Sequence, residues 1–562
     1  IMNRNTNTRF STAPLDIDIQ RSRFHRPSTH KTTFNAADLI PIYVDEVLPG
    51  DTFNMTMASL CRMTTPIFPV MDDCWLDTFF FYVPNRLLWD HWKEFMGENN
   101  VSAWTSDIVY EIPTLDRSVS VKGFKFASGG VGDHMGIIPN RDFLEVSALP
   151  LRAYRLIWNE WFRDQNLQDP LLVNTGDIET DASLDKLLKA CKPHDYFTSA
   201  LPAPQKSPDV LIPGGIGLVT AINGGLNPED IGLTGDDLYN RIPYANLIAP
   251  GALSFVDLVG GETASGKLGI VDGEAVLINE SFTGTTHKVA PSNLVNFGIQ
   301  GTINQLRTAF QIQKLYERDA RGGTRYVESI KAHFGVTAPD ASLQRPQYLG
   351  GERININVNQ VVQTSATDDT SPQGNVAAFS KTVSRGHIFD QSFYEHGYII
   401  GLACVRTAHT YQQGVNKMWT RKTRLDFYTP ELANIGEQPI LNKEIYVSYL
   451  DPGQTAWDPE NDEVFGYQEA WADYRYKPSI VTGSFRSSES NGPSLDPWTY
   501  ADYFDSRPYL SAEFIEETDK NIERTLAVGS DLADQFLLDM YFDLYVDRPM
   551  PVYSVPGLAD HH

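Results

Sequence analysis

Val70–Pro84 reads V-M-D-D-C-W-L-D-T-F-F-F-Y-V-P. From Thr78 to Val83 there is no polar alternation, only a dense aromatic run. A strand with one wet face alternates apolar and polar side chains; a strand covered on both faces has no reason to. The run therefore predicts a strand buried on both sides. Upstream, Leu39–Val47 and Thr52–Met63 read as strands joined by the turn signal Leu48-Pro49-Gly50-Asp51. Downstream, Asn85–Gly97 predicts a helix, with Asn85 as N-cap after Pro84 and Gly97 as its stop.

Further along, Ser118–Ala127 alternates like a strand or hairpin. Leu149–Leu167 is amphipathic, with Leu151, Tyr154, Ile157, Trp158 and Trp161 on one helical face, and Ala182–Cys191 predicts a third, shorter helix. After the middle of the chain the period of two returns at Arg353–Thr364. Tyr398–Tyr411, Leu425–Tyr428 and Lys443–Leu450 follow as strand candidates. Asp451–Lys477 reads as a long acidic connection, Glu513–Ala527 as a helix and Asp539–Val546 as a last strand. Strands scattered over this range, without regular βαβ alternation, predict an antiparallel sandwich with long insertions.

The chain has 562 residues, a formal charge of −25, 34 Pro and 41 Gly. Pro and Gly spread this widely call for many turns and argue against a helical bundle. Cys61, Cys74, Cys191 and Cys404 lack C-x-x-C spacing, which predicts reduced thiols rather than a zinc site or a disulfide framework. Residues 1–10 have no apolar stretch and no run is long enough to span a bilayer, so neither a secretory signal nor membrane insertion is expected.

Two stretches depart from the rest in composition. Ser207–Ala290 holds 14 Gly and 10 Asp/Glu but only Arg241, Lys267 and Lys288 as cations. Short β-like runs (210–212, 216–219, 254–259, 274–278) separate its glycines, so it reads as an excursion from the main body. Gly301–Val336 is the opposite, with Arg307, Lys314, Arg318, Arg321, Arg325 and Lys331 against Glu317, Asp319 and Glu328. Its apolar positions Ile303, Leu306, Phe310 and then Tyr326, Ile330, Phe334 are helically spaced. Gly322-Gly323 between them predicts a break. The arginines suit either a nucleic-acid-facing helix or pairing with an acidic body.

Catalytic motifs do not assemble. Gly261-Glu-Thr-Ala-Ser-Gly266-Lys267-Leu268 imitates a phosphate loop but has Leu268 where a magnesium-binding hydroxyl belongs, and no helix can follow into Gly269–Gly273. It reads as a turn. Asp458–Glu463 and Asp368-Asp369 lack the calcium-loop spacing. No H-E-x-x-H or G-x-S-x-G occurs. A secreted carbohydrate-active sandwich would need an identifiable acid pair, and none stands out. No catalytic, cofactor-binding or metal-binding set is expected.

Basic residues gather in two further places. Residues 1–36 hold Arg4, Arg9, Arg21, Arg23, Arg26 and Lys31 against Asp16 and Asp18, which reads as an extended arm packing on a partner, or as a solvated tail. Lys417, Arg421, Lys422 and Arg424 interleave with Trp419 and precede Phe427 and Tyr428. Cations beside rings suit single-stranded nucleic acid; they also suit long side chains lying along a strand.

The string Leu315-Tyr-Glu-Arg-Asp-Ala-Arg-Gly-Gly-Thr-Arg-Tyr326, running on to Lys331-Ala-His-Phe-Gly-Val336, closely resembles the major capsid proteins of gokushoviruses, small single-stranded DNA bacteriophages of the Microviridae. Phe68–Asp77, Phe81–Trp89, Leu149–Arg155, Asn159–Asp164, His387–Asp390, Asp534–Asp539 and Arg548–Pro551 resemble the same family. Only Ser207–Ala290 lacks matching motifs. The resemblance implies a mainly β protein, an eight-stranded antiparallel jelly-roll sandwich of viral capsid type with long helical and loop insertions. It implies no enzyme but a shell protein, self-assembling into a T=1 icosahedron with five-fold, three-fold and two-fold contacts around circular single-stranded DNA. Partners would include a small basic DNA-packaging protein and a host cell-surface receptor. The virion would be its location, after assembly in the bacterial cytoplasm. The implied division is residues 1–36 as a basic arm and 37–206 as the first part of the core. Residues 207–296 would form a three-fold surface protrusion for host attachment, and 297–562 the helix pair and the rest of the core. Cations must collect where DNA lies, which makes Arg4, Arg9, Arg21, Arg23, Arg26, Lys31, Lys417, Trp419, Arg421, Lys422 and Arg424 the DNA- or subunit-contact candidates.

Overall fold

The structure is a computed structural model that describes residues 20–98, 110–115, 126–141, 145–207, 266–271, 274–279, 287–288, 303–323, 325–337, 339–364, 373–374, 376–450, 455–487 and 494–553. Its strands, in chain order, are β1 (Ser22–His25), β2 (Ser28–Phe34), β3 (Asp38–Val47), β4 (Thr52–Met63), β5 (Cys74–Pro84), β6 (Leu188–Lys189), β7 (Gly266–Val271), β8 (Glu274–Asn279) and β9 (His287–Lys288). They continue with β10 (Gln347–Asn355), β11 (Val358–Val362), β12 (Val376–Ser380), β13 (Thr382–Ser392), β14 (Gly397–Thr407), β15 (Glu437–Leu441), β16 (Val464–Glu469) and β17 (Phe536–Arg548). The chain packs as two units, residues 205–321 and the remainder.

In the larger unit the described strands form two two-stranded sheets, β11 with β12 and β15 with β16, and two five-stranded ones. One runs in the order β1, β17, β4, β13, with β2 also on β17; the other runs β10, β5, β14, β3, β6. Every pairing within them is antiparallel, so the protein is mainly β, as expected. Between the sheets lies one core, built by Ile40 and Ile42 of β3, Phe53, Met55 and Met57 of β4, Phe389 of β13 and alternate residues of β17 from Phe536 to Val546.

The opening stretch behaves as its composition predicts. Phe80 and Tyr82 of β5 enter the inter-sheet core, where Phe80 meets Phe389 at 5.9 Å and Tyr82 meets Phe393 at 4.5 Å between ring centroids. Phe81 and Val83 point the other way, into a second core beneath the helix Leu149–Ile157. A period-two strand with apolar material on both sides needs apolar residues at successive positions, and Phe79–Val83 of β5 supplies them. β14 does the same, with Ile399 and Val405 on one face and Ile400 and Leu402 on the other. β17 has one covered face, and its burial alternates along its length.

The second core contains a charge pair inside the motif Leu149–Arg155. Arg152 is fully buried; its Nε donates to Glu179 at 2.8 Å and its Nη1 to the Leu88 carbonyl at 3.1 Å. The turn joining β3 to β4 follows the sequence. Gly50 has φ +93°, the conformation that position demands, while the Asp51 carboxylate accepts from the Leu48 amide at 2.9 Å.

Several expectations are corrected. Asn85–Gly97 is not one helix but a 3-10 turn, Asn85–Leu87, and a short helix, Trp92–Phe95, and the cap position is Pro84 rather than Asn85. Leu149–Leu167 turns into a π-helical end at Trp158–Phe162 and stops there. Ala182–Cys191 is a 3-10 turn, Ala182–Asp185, followed by β6. Leu425–Tyr428 and Lys443–Leu450 are not strands; the first overlaps the 3-10 turn Arg424–Asp426 and the second the helix Asn442–Ile445. The connection Asp451–Lys477 contains β16, and Glu513–Ala527 divides into Ala512–Ile515 and Lys520–Glu523. From Ser22 onward the basic arm lies within the chain's own fold. It adds β1 and β2 to the chain's own sheet, in register with β17, and ends on the buried Phe34.

In the smaller unit β7, β8 and β9 form an antiparallel three-stranded sheet. Gly266-Lys267 lies in β7, so the phosphate-loop imitation ends in a strand rather than the expected turn. The run at 274–278 is β8, whereas those at 210–212, 216–219 and 254–259 lie outside the described residues. So does Ser118–Ala127 up to residue 125. The long helix Ile303–Arg321 ends at the glycine pair, where Gly323 has φ +90°; the helix Tyr326–Phe334 begins three residues later. No helix among the described residues is long and apolar enough to cross a membrane.

Candidate functional site

The N-terminal basic candidates among the described residues are occupied. Arg4 and Arg9 lie outside the described residues. Arg21 donates to the Gly50 carbonyl. Arg23 sits 4.0 Å from Asp547 and 4.9 Å over the Tyr545 ring. Arg26 grips Asp45 with two bonds, 2.7 and 3.2 Å, and Lys31 lies 3.4 Å from Asp539. His25 adds a contact to Asp543 at 2.7 Å and stacks on Tyr545. The cause is register: the outward face of β17 presents Asp539, Asp543 and Asp547 at every fourth residue, and β1 and β2 bring cations opposite. Exposed cross-strand pairs of this kind contribute about 0.2–1 kcal/mol each.

The second basic cluster is divided. Arg421 turns inward to an ion pair with Asp473, both side chains nearly buried, and lies 4.3 Å over Tyr474 and 5.7 Å over Phe427. Lys417 donates to the Pro439 carbonyl at 3.2 Å. Lys422 and Arg424 are exposed. Between them the Asp426 carboxylate accepts the amides of Thr423 and Lys422, at 2.7 and 2.8 Å, and these bonds hold its pKa below the usual carboxylate range. Trp419 is 74% exposed and Leu425 71%. The structure does not bring this cluster together with the N-terminal one.

In the central stretch, Arg325 anchors the helix it precedes. It donates to the carbonyls of Asn159 and Arg163, at 3.0 Å each, and pairs with Glu328 at 3.2 Å. That is a tie to the body rather than a free cation. Asp458 and Glu460 of the acidic run are held by Arg507, and Asp462 by Lys443. Asp368-Asp369 lies outside the described residues, and among the described residues no group of three or more His, Cys, Asp or Glu side chains is placed to hold a metal ion. None of the four cysteines forms a disulfide; burial pushes the thiols of Cys61, Cys191 and Cys404 up to about 12, so they stay protonated and unreactive.

Sequence reasoning missed one charged site. His409 is buried between two carboxylates, with Nδ1 2.9 Å from Asp502 and Nε2 3.1 Å from Glu517. Asn521 donates to Asp502 at 3.0 Å. Burial opposes the charge on the imidazole, but Asp502 and Glu517 outweigh it and push its pKa up to about 10; Asp502 is lowered in turn. With both ring nitrogens donating, this is an imidazolium tying two distant segments to the end of β14. No local motif announces it, because the partners stand 93 and 108 residues away.

Known proteins agree with the geometry of a structural body. The family model described as capsid protein (F protein) matches residues 15–558. Capsid protein VP1 of Bdellovibrio phage phiMH2K is 42% identical, over 96% of both chains. VP1 of Chlamydia phage 1 is 40% identical over 98% of this chain and 97% of its own, and VP1 of Spiroplasma virus 4 is 41% identical over 96% of each. A mainly β body of antiparallel sheets, matched along almost its whole length, identifies the chain as a member of the capsid protein (F protein) family of Microviridae phages.

Proposed function

We propose that copies of this chain close into a T=1 icosahedral shell around circular single-stranded DNA, and that the body of each copy is an eight-stranded jelly roll. The strand pairing carries this reading. Numbered one to eight in chain order, the long strands are β2, β3, β4, β5, β10, β13, β14 and β17. They pair one with eight, two with seven, three with six and four with five. Such nested pairing is that of one long hairpin rolled onto itself, and its rows alternate between the two facing sheets, as in viral jelly rolls.

Residues 207–296 fall, in chain order, within the connection from β5 to β10, which supports a protrusion that meets a host cell-surface receptor at the three-fold axes. Residues 1–36 and 37–206 then serve as the arm and first part of the body, and 297–562 complete it. Arg23, Arg26 and Lys31 already have partners within the chain. Neutralising the genome falls instead to Arg4, Arg9 and a separate small basic packaging protein, with assembly in the bacterial cytoplasm before the chain resides in the virion.

Sedimentation of the full chain, isolated from virions or after expression, tests the shell. Closed particles holding nuclease-protected single-stranded DNA are expected in virions. A monodisperse monomer from purified virions overturns the reading.

A further inference from the structure

Residues 415–435 and 471–480 carry apolar side chains that stay exposed among the described residues. Trp419, Leu425, Phe427, Tyr428, Tyr474 and Ile480 are all exposed, Ile480 at 76%. Three of them, Phe427, Tyr428 and Tyr474, rest on fixed neighbours. Tyr428 packs edge-on against Trp471 at 5.7 Å and lies 6.3 Å from Tyr474. Arg421, locked to Asp473, fills the space between Tyr474 and Phe427. Trp471 has φ +64°, a left-handed conformation costly for a bulky residue. It is held there by bonds from its indole to the Leu432 carbonyl at 2.8 Å and from its amide to Gln438 at 3.1 Å. Strain held in place beneath a fixed, exposed aromatic set is the anatomy of a contact surface. Anchors already fixed lose little entropy on binding, and Trp, Tyr and Arg supply most interface hot spots.

We propose that this surface is a docking face for a second copy of the chain, with Trp419 and Leu425 as its anchors. The inference rests on the self-assembly reading above. Charge decides between a protein partner and nucleic acid. Of the four cations in the cluster, Arg421 is paired with Asp473 and Lys417 acts on the buried Glu444 carboxylate, leaving Lys422 and Arg424 beside the Asp426 carboxylate. Two cations neutralise few phosphates, and the aliphatic Leu425 and Ile480 offer bases nothing to stack on. Another copy suits the surface better. At a formal charge of −25 its exterior is predominantly acidic, so two exposed cations rimming an apolar patch complement it.

The test is the full-length double variant Trp419→Ser/Leu425→Ser beside the wild type. Particle yield is read by sedimentation, packaged DNA by nuclease protection, and subunit folding by circular dichroism and melting. The expected result is folded subunits with self-association weakened about tenfold or more and a matching loss of particles. Wild-type particle yield overturns the proposal; wild-type yield with less protected DNA also does, and assigns the surface to nucleic acid. If the double variant fails to fold, Lys422→Glu/Arg424→Glu replaces it, since both side chains are exposed, and the same loss of association is required. If the wild type forms no particles, self-association of free subunits separates the two readings. Association that the variant abolishes keeps the docking face and removes the shell; no association in the wild type removes both.

Discussion

The two basic stretches look alike as sequence and differ in what their charges do. Along β1 and β2, cations face the aspartates of β17 across a strand pair, on the surface. In the loops at 417–428, one arginine is buried with its aspartate and the rings above it are left outside. The first arrangement tethers an arm to its own sheet; the second builds a stiff platform. Local charge excess therefore says little about DNA until the partner of each cation is known.

Buried charge should dominate when this contrast is probed by mutation. The extreme case is His409: His409→Leu leaves Asp502 and Glu517 buried and unpaired and should cost about 3–5 kcal/mol, measured by denaturant unfolding of the subunit. Its pH dependence has a definite sign. The folded pKa of about 10 lies above the ordinary 6.5, so the stabilisation is full below about 6.5 and declines as pH rises through about 10. Asp502 acts oppositely: its lowered pKa gives stabilisation that is present above its ordinary range and lost in acid. In His409→Gln the loss between neutral and alkaline pH should vanish, and a wild-type-like alkaline slope would contradict the assignment.

Next comes Arg421→Ala, which strands the nearly buried Asp473 and should cost about 3 kcal/mol in the same assay. A neutral result would place the pair in water and weaken the platform account. Arg26→Ala, removing a two-bonded but half-exposed pair with Asp45, should cost about 1 kcal/mol. Smallest are Arg23→Ala and Lys31→Ala, each within about 1 kcal/mol and without effect on packaged DNA, read by nuclease protection. A loss of DNA with unchanged stability would reverse the contrast and make the β1–β2 edge the nucleic-acid surface.

Legibility followed burial. β4, β5, β14 and β17 were readable because their covered faces dictate side chains locally, in alternation or in an unbroken apolar run. β1 and β2, in the sequence Ser22–Phe34, are polar and short; what makes them strands is a ladder on β17 about five hundred residues away. Leu425–Tyr428 has a strand's composition but no sheet edge to join, and Asp426 caps a turn there instead. The glycine break at 322–323 was legible because it is a backbone property of two residues. The basic candidates were legible as residues but not as sites, since the sequence does not display Asp473 beneath Arg421 or the aspartates opposite β1 and β2.

The most direct single measurement is a cryo-electron reconstruction of the assembled particle. The expected map shows β2 on the β17 of its own chain, with Trp419 and Leu425 covered by a neighbouring copy. Strands β1 and β2 exchanged into a neighbour, or Trp419 facing solvent or nucleic acid, would contradict it.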